Sequence, residues 1–424
     1  MNTYSNMYDG WLRERKKWAV LLLAIPLAAC GGHTGAPSGS VPQGQSPVQT
    51  PENGISPGGE TDEPTEAGTP TDEEAPKTDA ETSDDTSSAP PAESEDVTAN
   101  LTGETETIAD RLDTPWAMQF DGSTIYMTLR GGSIVKVKDG EQIEQSITMN
   151  SSVLEEGESG LLGLALAPDF ADSREAYVYH TYGQGDGMRN RVIRIKENSD
   201  GTLWSETALL LDDIPGARVH DGGRIAFGPD GMLYVTTGDA QQESSAQDTA
   251  SPAGKILRMT PDGDVPEDNP IEGSYAYTYG HRNSQGIDWL EDGTMYASEH
   301  GPSGNPGGHD EMNEIEAGGN YGWPDVIGDE TGEGLIAPLY HTGDEAIAPS
   351  GIAATPDGKL LVANLAGQSL MRFDPKTGEM TEVIAGLGRI RDVAVQGGQI
   401  YILTNNTDGR GMPSDGDDRL LRLK

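Results

Sequence analysis

One cysteine stands in 424 residues, at position 30. A single thiol forms no internal disulfide, and it supplies neither a CxxC zinc site nor a c-type haem attachment. Basic residues are scarce as well: 28 Lys and Arg face 70 Asp and Glu, for a formal net charge of −42. Nucleic-acid binding needs clustered Lys/Arg to neutralise phosphates, so the composition argues against a nucleic-acid partner. No GxGxxG follows a strand pattern, which argues against a dinucleotide fold. GKIL at Gly254 lacks the preceding glycine of a phosphate loop, and neither HExxH nor GxSxG occurs. The histidines beyond residue 100 are scattered, which weakens a zinc reading. Aromatics make up only 6% of the chain, and no long stretch carries a helical period.

The first 100 residues are a leader and a spacer. Arg13, Arg15, Lys16 and Lys17 precede an apolar run from Trp18 to Ala29, too short to span a bilayer and shaped like a secretory signal. The run ends in Leu27-Ala28-Ala29-Cys30-Gly31, which resembles the lipobox of bacterial lipoproteins. That resemblance implies acylation of Cys30 and a protein anchored to a membrane outside the cytoplasm. Residues 31–100 hold 15 acidic residues against one lysine, among Gly, Pro, Ser and Thr. Such a segment buries too little apolar surface to offset chain entropy, and its charges keep it extended as a disordered tether.

Residues 101–424 repeat a strand signal. A turn followed by residues of β propensity recurs at Asp121, Asp169, Asp230, Asp292, Asp357 and, more weakly, Gly398, spaced 48, 61, 62, 65 and 41 apart. Further short strands read at Ser133–Val137, Arg191–Lys196, Lys255–Met259 and Leu370–Phe373. Self-similarity at this period predicts an all-β, six-bladed propeller of four-stranded antiparallel sheets, with a β-sandwich pair as the runner-up.

Four loops carry candidate chemistry. His220-Asp221-Gly222-Gly223-Arg224 leads towards the strand ending in Gly238-Asp239, and its histidine suits a general base near neutral pH. Gly280-His281-Arg282-Asn283-Ser284-Gln285 packs a fork-shaped cation and two amides, able to grip carboxylates or carbonyls. Ser298 to Pro302 and His309 to Glu314 gather carbonyls and carboxylates as a hard cation requires, although a solvated acidic loop reads equally well. In Gly388-Arg389-Ile390-Arg391, strand alternation points both guanidiniums to one face, which calls for an acidic ligand or a nearby Asp/Glu.

From about Leu112 to Leu423 the chain resembles the glucose/sorbosone dehydrogenase family of soluble, PQQ-dependent aldose sugar dehydrogenases. The segments that carry this are ESGLLGLALAPDF from Glu158, HDGGRIAFGPDGMLYVTTGD from His220, GHRNSQG from Gly280, SEHGP from Ser298, DEMNEIEAGGNYGWP from Asp310, APSGI from Ala348 and GRIRDV from Gly388. The resemblance implies His220 as the base, oriented by Asp239, with hydride passing to the quinone. It implies Arg282, Asn283, Gln285, Arg389 and Arg391 as cofactor contacts, with Arg282 polarising the quinone carbonyls. Gly301 and Pro302 match backbone ligands of a calcium ion that bridges to PQQ; Glu158 and Asp310 match positions near the sugar. Two positions depart from the family: Glu158 replaces a glutamine, and Ala366 replaces a cofactor-binding lysine. An aldose sugar and a separate electron acceptor are the implied partners. Against this stand a calcium-dependent lactonase or esterase propeller and a non-catalytic propeller binding sugar or protein at the cell surface.

Overall fold

The computed structural model describes residues 95–185, 187–304 and 307–424. The leader, Cys30 and the acidic spacer as far as residue 94 lie outside the described residues. Among the described residues no helix is long and apolar enough to cross a membrane.

The strands form four sheets of four strands and one of eight. Pro115–Asp121, Thr124–Leu129, Ser133–Lys138 and Glu141–Thr148 make one half of the eight-stranded sheet. Leu161–Leu166, Glu175–Gln184, Gly187–Glu197 and Leu203–Gly216 make the other. Their outer strands meet in a short parallel pairing from Ser146↔Leu203 to Thr148↔Ser205, whereas neighbours within each half are antiparallel. The next sheets open with Ile225–Phe227, Ser284–Trp289 and Pro349–Ala354. The last combines Ile390–Gln396, Gln399–Thr404 and Leu420–Leu423 with Thr105–Ala109, so the first and last of the described strands share one sheet.

All six turn signals fall between the first and second strands of a four-strand unit. The Asp-Gly turns place glycine where the left-handed region is required, as at Gly231 (φ 76°) and Gly358 (φ 74°). The opening strand of each unit touches that of the next, and Ile390–Gln396 returns to touch Pro115–Asp121, closing a ring.

The core lies between neighbouring sheets. Leu361 and Ala363 pack with Ile400 and Ile402 of the last sheet, while Leu360 and Val362 pack with Tyr296 and Met312 on the other side. Alternate side chains of Leu360–Asn364 therefore enter two different cores, and the strand is apolar on both faces. Each fully buried Leu, Val or Phe contributes about 1.5–3 kcal/mol relative to exposure. Val97 and Leu101 pack on this body too, and Asp96 pairs with Arg372 at 2.9 Å.

Candidate active site

First strands start, and second strands end, at the same end of each sheet, because the two are antiparallel. The candidate residues gather there from both. His220 and Arg224 precede Ile225–Phe227, Asn283 precedes Ser284–Trp289, and Arg389 precedes Ile390–Gln396. Asp239 follows Leu233–Thr237, and Gly301 follows Met295–Glu299.

His220 is held from every side. Its backbone adopts a left-handed φ of 65°, and its N–H donates to Glu158 Oε2 at 3.1 Å. Its carbonyl accepts from Ala240 N at 3.1 Å. Gly238 makes this approach possible: a Cβ there would lie 1.9 Å from the His220 carbonyl oxygen. Imidazole Nδ1 lies 2.8 Å from Asp239 Oδ1, and Nε2 lies 2.9 Å from Arg282 Nη2. A guanidinium only donates, so Nε2 is the acceptor and Nδ1 carries the proton. The ring is 17% exposed and Asp239 not at all. Asp239 Oδ1 also accepts from Gln241 N at 2.8 Å, and Oδ2 accepts from the indole of Trp323 at 2.9 Å. The carboxylate thus faces donors only.

Arg282 reaches the carbonyl of His300 at 3.2 Å and the hydroxyl of Ser303 at 3.3 Å. Burial pulls its pKa down, opposed by the charges of Asp239 and Glu299. Asn283, fully buried, accepts from Gly222 N at 3.0 Å and so ties two loops together. Burial pulls the pKa of His300 down to about 4, opposed by the charges of Asp310 and Glu158.

Arg389 and Arg391 are both buried but meet different partners. Arg389 is paired with Asp408 at 2.9 Å, the nearby carboxylate that the sequence left unnamed. Arg391 has no carboxylate in ion-pair distance among the described residues. Its Nη1 donates to Gln285 Oε1 at 2.7 Å and Ser350 Oγ at 3.2 Å, and its Nη2 and Nε face the amide oxygen of Asn405 at 2.9 and 3.0 Å. Burial pulls its pKa down to about 9, with Asp408 opposing and the charges of Arg389 and Arg130 adding to the fall.

Asp310 is also spent on donors. Oδ1 accepts from Gly301 N at 2.9 Å, and Oδ2 from Ile347 N and Ala348 N, both at 2.7 Å. It ties the Gly301-Pro302 loop to the segment before Pro349–Ala354. Among the described residues no hydrogen bond is donated to the carbonyls of Gly301 or Pro302. Nor do three His, Cys, Asp or Glu side chains group there as a metal would require. Glu158 closes the other flank through Arg410 at 2.7 Å. Burial opposes its charge, yet His300, Arg410 and the His220 N–H together hold its carboxyl below the usual range.

Sequence reasoning assigned no role to Trp323, Asp408 or Arg410. Trp323 lies within NYGWP, and its ring sits 5.5 Å from the Arg282 guanidinium.

A strand ring whose one end gathers a histidine–carboxylate pair and buried arginines defines the class. The chain belongs to the glucose/sorbosone dehydrogenase family, whose profile matches residues 112–421. It is 30% identical to the aldose sugar dehydrogenase YliI of Escherichia coli strain K12, covering 73% of this chain and 92% of that one. It is 31% identical to quinoprotein glucose dehydrogenase B of Acinetobacter calcoaceticus over 55% of each. The PQQ-bound aldose sugar dehydrogenase of Streptomyces coelicolor superposes with a TM-score of 0.70 at 36% identity, over 76% of this chain and 99% of that one.

Proposed function

We propose that this chain oxidises aldose sugars at the anomeric carbon to lactones, using PQQ and calcium, on a six-bladed propeller. In this count the eight-stranded sheet is two blades joined edge to edge, a reading supported by the closed ring of opening strands. The observation that carries the function is His220 set between Asp239 and Arg282, with its basic nitrogen turned from the carboxylate.

The residues fit the cofactor. PQQ is a tricarboxylate ortho-quinone, and Arg391 is a buried guanidinium satisfied only by neutral acceptors, with Arg389 and Arg130 close enough to depress its pKa. Arg391, Arg389, Gln285 and Asn283 would hold it. The carbonyls of Gly301 and Pro302, kept in place by Asp310, would hold calcium against it. When bound, PQQ supplies a two-electron acceptor for the hydride leaving the sugar.

The chain's own residues do the rest. His220 Nε2 takes the proton of the anomeric hydroxyl, and Asp239 stabilises the imidazolium that forms. Arg282, released from Nε2, carries its positive charge to where negative charge develops. Glu158 and Arg410 border the sugar. The leader supports export and lipid anchoring through Cys30.

The test is reconstitution. Purified protein is loaded with PQQ and calcium, and dye reduction is followed with several aldoses, with His220→Ala as control. Sugar-dependent reduction lost in the variant supports the reading. Absence of both activity and a PQQ absorbance shift sinks it, and lactone hydrolysis without PQQ would replace it by a lactonase.

A further inference from the structure

We propose that Trp323 is a positioning residue for the His220 base, acting through the carboxylate of Asp239; this rests on reading His220 as the base. Asp239 Oδ1 already serves His220 Nδ1–H and Gln241 N–H, both at 2.8 Å. With Oδ1 alone engaged, the carboxylate could still turn about its own bond. The indole N–H on Oδ2, at 2.9 Å, fixes the plane of the group and so the direction from which it meets the imidazole. The same indole ring lies 5.5 Å from the guanidinium of Arg282, the other neighbour of His220. One side chain therefore touches both groups that flank the base.

Trp323 is itself firmly placed, although it lies 84 residues from Asp239. Its backbone N–H donates to Gly280 O at 2.9 Å, in the loop that carries Arg282. Its carbonyl accepts from Gln247 Nε2 at 2.7 Å. Gln247 pairs amide to amide with Asn320, at 3.0 and 2.8 Å, just before the tryptophan. Gln247 also lies in the loop that follows Asp239, so the support returns to the segment it serves. Outer groups of this kind orient the residue they hold.

The discriminating variant is Trp323→Phe, which keeps the ring and removes the N–H. In protein loaded with PQQ and calcium, kcat should fall about tenfold, as expected for a lost hydrogen bond to a charged group, with KM within about twofold. The effect should vanish in an Asp239→Asn background, because a residue acting through Asp239 has nothing left to act on. A second readout needs neither activity nor a Trp323 variant. In nitrogen-15 spectra of the cofactor-free protein, His220 should occupy the single Nδ1–H tautomer, and Asp239→Asn should shift the indole N–H of Trp323. Additive losses in the double variant, or an indole signal unmoved by Asp239→Asn, would overturn the proposal. A wild-type protein inactive towards sugars would remove the proposed function, while the spectra would still decide whether Trp323 holds the His220–Asp239 pair.

Discussion

Replacing Asp239 by Asn tests the His220 base most directly. The side chains are nearly isosteric, so the change is one of charge and donor pattern. Three donors surround the native carboxylate: His220 Nδ1–H, Gln241 N–H and Trp323 Nε1–H. An amide offers one acceptor oxygen and one donor nitrogen, so either orientation sets a donor against a donor. Turning the oxygen to His220 and Gln241 leaves the amide facing the indole; the reverse leaves two clashes and frees the imidazole tautomer. Each unsatisfied buried donor costs about 1–3 kcal/mol. A larger loss falls on the transition state, where the proposed mechanism makes His220 positive. At 2.8 Å, and with an effective dielectric constant of about 20, carboxylate and imidazolium attract by roughly 6 kcal/mol. An amide dipole retains part of that, so a net loss of about 3–5 kcal/mol corresponds to a fall of about 10²–10⁴ in kcat/KM. The assay is steady-state sugar oxidation with PQQ and calcium saturating, with cofactor binding checked separately by absorbance. Activity within fivefold of wild type, with cofactor bound, would refute the assignment of the base.

Three further outcomes follow from the same geometry. Gly238→Ala drives a Cβ into the carbonyl of His220, so it should cost about 1–3 kcal/mol or more in calorimetry and abolish activity; full stability would show that the backbone approach is not tight. Buried Asp221 keeps its proton up to about pH 7, because desolvation outweighs its hydrogen bonds from Asn190 and Ala217. The folded state then holds more protons than the unfolded chain between the ordinary carboxyl range and pH 7, and stability falls as pH rises through that window. Asp221→Asn should flatten the melting temperature across it, and parallel curves for both proteins would count against this. Ala366 is exposed, so Ala366→Lys has room for its side chain and should tighten PQQ binding about tenfold in a fluorescence titration; unchanged affinity would show that the arginines already suffice.

Much of the strand order was legible because turns are local. Five of the six anchors needed only an Asp-Gly or Gly-Gly pair and a β-prone run beside it, Asp169 lying before Phe170 instead, and each one marks the first hairpin of a unit. The parallel seam between Glu141–Thr148 and Leu203–Gly216 was not legible, since Ser146 and Leu203 carry no mark of their pairing. The candidate site divides in the same way. His220, Asp239 and Arg282 stood out through their motifs, and the structure brings the three together. Asp408 sits 19 residues from the arginine it neutralises, in an acidic stretch where nothing singles it out. Trp323 looks like an ordinary aromatic until its indole is seen on Asp239. A partner chosen across sheets leaves no local trace; only the folded chain reveals it.

The sheet that joins the two ends of the body also bears on how the protein is made. Thr105 pairs with Leu423, so Thr105–Ala109 waits for a partner that follows all the other described strands along the chain. Until then the sheet lacks its final strand, Leu420–Leu423, and Thr105–Ala109 has no neighbour to bond. Contacts at such separation make for slow folding and prolonged exposure of strand edges. Removing Leu420–Leu423 would unlink Thr105–Ala109 from the rest of the last sheet. The last sheet is complete only once Leu420–Leu423 has been made.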